Sequence, residues 1–180
     1  MSVPFRDLRD EDSLGLAAYL RFVEEEGGRG IRGALFLVDS RGEPVEFVFS
    51  RIDVPASFLW RGGEAKRHAV AKLSAALFQG CSKSPTLLMT LAEEVHPMLF
   101  AEDILLGVPA CRVANSEEMP RTLEEAVETL SNAVHLFWIA QPASAECLAR
   151  QLLEALHARQ LVTEPFERAA RGIEEAFART

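Results

Sequence analysis

Positive charge gathers in one short stretch of the chain, where Arg51, Arg61, Lys66, Arg67 and His68 lie around Gly62-Gly63, just before a helical pattern begins. The first N–H groups of a helix have no intrahelical partner and sit at the positive end of its dipole, so they favour a phosphate or carboxylate. Glycine allows such a group to approach the backbone closely. These five side chains are therefore the candidate ligand-binding residues, and the ligand they suit is a small anion. The spacing is not that of a Walker loop, and helical geometry points Lys66 and His68 in different directions. A second glycine run, Gly27-Gly28-Arg29-Gly30, leads into a strand instead of following one and opening a helix. It reads as a hairpin loop and not as a dinucleotide fingerprint.

Carboxylates near strand ends suggest a second chemistry. Asp39, Glu46, Glu93-Glu94 and Asp103 are spread over the first two thirds of the chain. Carboxylates that converge can hold two divalent ions for in-line phosphoryl transfer. Three antiparallel strands, a helix and then a parallel strand, the order derived below, resemble the opening of ribonuclease-H-like folds. That resemblance implies a metal-dependent nuclease or phosphoesterase using Asp39, Glu46, Glu93 and Asp103. In that family the first acidic residue lies on the first strand, whereas Asp39 closes the second strand here. No family motif surrounds it.

Other catalytic patterns fail on spacing. His96-Pro97 followed by Cys111 is similar to the His-Pro-Asn and cysteine arrangement of ubiquitin-conjugating enzymes. Position 98 is Met, however, and a helix intervenes after the meander. Cys111, within Pro109-Ala110-Cys111-Arg112-Val113, is better read as a small buried hydrophobe. There is no Gly-x-Ser-x-Gly, Cys-x-x-Cys or His-Glu-x-x-His. The four histidines are scattered, and His135 sits inside an apolar strand pattern. No metal site or cofactor fingerprint emerges, and whether the chain is an enzyme stays open at this point.

The elements that must position these residues follow from periodicity. Leu16–Glu24 fits both alternation and a helical stripe, and the strand reading is adopted. Ile31–Asp39 is apolar on both faces, as a central strand requires, and Ser40-Arg41-Gly42-Glu43 turns it into Val45–Ile52. From Glu64 to Phe78 the period becomes helical, with Ala69, Val70, Leu73, Ala76 and Leu77 on one stripe and Gly80 as its C′ residue. Thr86–Leu91 reads as a buried strand, which implies a crossover and at least one parallel pair. Residues 93–103 read as loop and short helix, and Val108–Val113 as a strand. Thr122 with Glu125 resembles a capping box, so a helix with Leu123, Val127 and Leu130 on its face is expected there. Val134–Ala140 reads as a strand, and two helices, 144–158 and 164–178, close the chain. The expected class is α/β (α+β): a mixed sheet that opens with a three-strand antiparallel meander and is covered by helices.

At 180 residues the chain suits a single domain, 1–180, able to bury a core without staples. The net charge of −8 argues that nucleic acid is not favoured as a partner. An odd number of cysteines, a polar segment from Met1 to Asp12 and no long apolar run point to a soluble cytoplasmic protein without membrane contact. Apolar helix faces, with Phe137 and Trp138 on one strand and Phe58, Leu59 and Trp60 near a loop, suggest a protein partner or self-association as a homodimer. The leading expectation is therefore a non-catalytic binding or assembly domain with a small anion site, and the alternative is the nuclease.

Overall fold

A computed structural model describes residues 14–131 and 133–178; the polar segment from Met1 to Asp12 lies outside them. Strands β1 (Ala17–Glu24), β2 (Gly30–Val38) and β3 (Pro44–Asp53) form the expected antiparallel meander. Its second turn is held by Asp39, whose Oδ1 accepts the N–H groups of Arg41 and Glu43 at 2.9 Å. Gly42 takes a φ of 80° there, a conformation open to glycine at little cost.

Helix α1 (Glu64–Gly80) then crosses over to β4 (Leu87–Leu91), which pairs parallel to β1. A single π-helical turn (Leu99–Asp103) precedes β5 (Ala110–Ala114), parallel to β4. Strands β6 (Ala126–Leu130) and β7 (Val134–Trp138) form a hairpin, and β7 pairs antiparallel with β5. The result is a seven-stranded mixed sheet in the order β3-β2-β1-β4-β5-β7-β6, followed by α2 (Leu148–Ala158) and α3 (Glu164–Ala178).

Strand periodicity divides the core in two. Ala17, Tyr19, Met89, Cys111 and Trp138 face α2 and α3, where Leu152, Leu156, Phe166 and Ala169 meet them. Ala18, Leu20, Leu35, Leu37 and Leu88 face the other way, onto Ala69, Val70, Leu73 and Leu77 of α1. A Tyr19 hydroxyl donating to the Leu161 carbonyl at 2.5 Å ties β1 to the α2–α3 connection.

Two expectations are corrected. The helix expected after Thr122 is the strand β6. The Thr122 N–H does bond the Glu125 carboxylate at 3.0 Å, as a capping box would, but the chain continues extended. Alternation wins because Ala126 and Leu130 pack into the α2–α3 side of the core, and Glu128 between them reaches Trp138 and Arg150. Gly80 is the last residue of α1, and the helix ends on an extended Cys81.

Candidate functional site

Because β1, β4 and β5 run parallel, their carboxyl ends lie along one edge of the sheet, beside the place where the chain reverses into the meander. Open α/β sheets bind ligands in such a crevice. Here it comprises adjoining hollows. One, of about 460 Å³, lies between Lys66 and Arg67 of α1, the loop after β4 around Glu93 and His96, and Arg112 of β5. Another, of about 660 Å³, lies between Arg21 of β1, Asn115 and Ser116 after β5, and Arg171 of α3. Glu93 and Met119 border both. A smaller hollow of about 230 Å³ joins Glu24, Lys66, Glu93 and Glu94.

Charge in the crevice is largely compensated. Arg21 and Glu94 form an ion pair, and Glu94 also accepts the Phe22 N–H at 2.9 Å. Burial pushes the Arg21 pKa down, while nearby Glu93 opposes that shift. The Arg21 Nε–H is buried and has no hydrogen-bond partner. Lys66 pairs with Glu24. Arg67 grips Asp103 through two hydrogen bonds of 2.7 and 2.8 Å and also bonds Glu102, which raises its pKa. Arg112 makes a buried two-pronged contact with Glu125 at 2.7 and 2.8 Å, donates to the Pro120 carbonyl at 2.8 Å and lies over the Phe137 ring. That contact pins the 115–125 segment against the crevice wall.

The five residues of the anion reading are not gathered in one place. Lys66 and Arg67 line the crevice. Arg51 sits on β3, held by both Glu25 oxygens at 2.8 Å and by Asp53 at 2.7 Å, and the hydrogen bonds of Arg51 to Glu25, joined by that of Arg32, bring the Glu25 pKa down to about 2. His68 stacks on Trp60 at 4.8 Å in a separate hollow shared with Lys72 and Asp103. Arg61 is exposed on the loop before α1.

The four carboxylates of the metal reading are also apart. Asp39 holds the β2–β3 turn, Glu46 accepts the Ser82 and Lys83 N–H groups at 2.7 and 3.0 Å, and Asp103 is bound to Arg67. Of the four, Glu93 reaches the crevice. Among the described residues no group of three or more His, Cys, Asp or Glu side chains is placed to hold a metal ion. A two-ion centre therefore does not fit these residues. The sequence reading missed Arg21 and Arg112. Each is a lone arginine inside an otherwise apolar strand, and that is a signal of a buried ion pair.

No protein family and no curated protein matches the sequence. Solved structures do match. The endonuclease V from Streptomyces avermitilis aligns with a TM-score of 0.58 at 14% identity, over 91% of this chain and 83% of its own. The endonuclease V from Bacillus subtilis aligns with a TM-score of 0.48 at 12% identity, over 86% and 85%. Marinitoga piezophila Argonaute, in complex with a 5′ OH guide RNA, aligns at 0.41 and 9%, over 85% of this chain and 26% of its own. At these identities the likeness to the first shows a shared fold. That an endonuclease carries this fold counts against two expectations: that nucleic acid is not favoured as a partner, and that the domain is non-catalytic. An average charge of −8 over the whole chain says little about one crevice in a fold that an endonuclease carries. Among the described residues no helix is long and apolar enough to cross a membrane.

Proposed function

We propose that this chain handles nucleic acid, taking a phosphodiester segment into the crevice at the carboxyl ends of β1, β4 and β5. The observation that carries this reading is the position of the crevice in a fold shared with an endonuclease V. Lys66 and Arg67 on one wall and Arg21 and Arg171 on the other flank the path a backbone would follow. Glu93 is a carboxylate that lines both hollows. Asp39, Glu46 and Asp103 lie away from Glu93, and among the described residues no group of three or more His, Cys, Asp or Glu side chains is placed to hold a metal ion.

Fluorescence anisotropy with labelled single-stranded and duplex oligonucleotides tests the reading. Saturable binding that weakens as salt rises is expected, since phosphate contacts release counterions. Lys66→Glu should lower affinity about tenfold, or about 1.4 kcal/mol. Failure of every oligonucleotide to bind at low salt, or equal binding by Lys66→Glu, would contradict the proposal.

A further inference from the structure

Between β3 and α1 the chain turns large apolar side chains out to solvent. Phe58 and Leu59, in a single 3-10 turn (Ser57–Leu59), are 85% and 74% exposed, and Trp60 follows at 37%. Large apolar groups gathered in water mark a contact surface. The loop is ordered by its own turns: the Leu59 N–H bonds the Ala56 carbonyl at 3.2 Å, and the Glu64 N–H bonds that of Arg61 at 3.0 Å. Trp60 is held by its stack on His68, which covers one face of the indole. Arg67, Lys72, Glu64 and Asp103 line the same hollow, and Arg61 is exposed next to Trp60 in the chain. Asp103 takes up Arg67, whereas neither Arg61 nor Lys72 has an ion-pair partner among the described residues. These two cations outnumber Glu64, so the patch is weakly positive.

Exposed aromatic faces beside weak positive charge fit unpaired nucleobases. Every base has a π-face on which an aromatic ring can stack, while nearby cations meet the phosphates. A duplex hides those faces inside its own base stack. Arg67 borders both this hollow and the 460 Å³ hollow of the crevice, and Gly63, just before α1, borders the latter, so the aromatic loop adjoins the crevice rim. We infer that Phe58 and Trp60 form a stacking platform for a single-stranded segment leaving the crevice, which makes single-stranded nucleic acid the preferred ligand. This rests on the nucleic-acid reading above and adds the strandedness. His68 supports the indole from behind, and Arg61 and Lys72 meet the backbone.

The test compares a labelled oligothymidine with the same strand paired to oligoadenosine, by anisotropy and by intrinsic tryptophan fluorescence. Trp138, the other tryptophan, is fully buried, so quenching by an oligonucleotide reports on Trp60. The single strand is expected to bind about tenfold more tightly than the duplex and to quench the emission, while the duplex leaves it unchanged. Phe58→Ala combined with Trp60→Ala should remove that advantage, a loss of about tenfold, and leave duplex affinity in place. Wild-type single-strand affinity in the double variant, an equal loss for both forms, or no quenching would overturn the inference. If Lys66→Glu still weakens binding in that case, the nucleic-acid reading stands. Absence of binding by every oligonucleotide would instead defeat the nucleic-acid reading, and this inference with it. Sedimentation of the wild type as a dimer and of the double variant as a monomer would assign the patch to a second copy and overturn the inference too. Phe58 lies almost wholly in solvent, so Phe58→Ala alone, with a several-fold loss expected, decides the matter should the double variant not fold.

Discussion

At the scale of single residues, the least replaceable contact beside the crevice is Arg112 with Glu125, whose side chains are 1% and 2% exposed. Two desolvated charges are stable only while each has the other, so truncating one strands its partner. Glu125→Ala should cost about 3–5 kcal/mol in urea unfolding. Arg112→Met combined with Glu125→Leu should recover most of that loss, because an apolar pair has no charge to strand. A single-variant cost below about 1 kcal/mol would show that water reaches the pair. The sequence contains both residues but not their pairing. The Thr122–Glu125 spacing was legible, and it misled, because the Glu125 carboxylate serves a buried arginine as well as the Thr122 N–H. The basic stretch 51–68 misled differently: Arg51, Lys66 and Arg67 have carboxylate partners contributed by distant elements, which local spacing does not disclose.

At the scale of elements, β3, α1 and the two C-terminal helices could be read from period, whereas β1 fitted either period and β2 and β4 were read as apolar runs. Short elements could not. β6 has five residues, and its pattern suits either period until β7 and α2 supply partners. The seating of α3 depends on Gly172, where a Cβ would come within 2.6 Å of the Phe47 ring. Gly172→Val should therefore lift α3 away from the meander, destabilise the protein by about 1–3 kcal/mol and widen the crevice wall that Arg171 borders. Thermal unfolding checks this, and an unchanged or raised midpoint would show that Phe47 can swing aside.

At the scale of the whole molecule, parallel neighbours β1, β4 and β5 make one edge of the sheet the place for a ligand, and α1, α3 and the 115–125 segment wall it in. Sequence order alone implied the parallel pair, whereas the crevice depends on which side chains reach it from distant elements. Net charge pointed away from nucleic acid, but an average over the whole chain says little about one crevice. The central claim is that a nucleic-acid segment lies in this crevice. Ultraviolet cross-linking of a bound oligonucleotide, followed by mass spectrometry of the peptides, tests it most directly. Adducts should concentrate in peptides covering residues 92–97 and 112–120, and fall when Lys66→Glu is introduced. Adducts confined to the β3 edge around Arg51, or to the outer faces of α2 and α3, would contradict the claim.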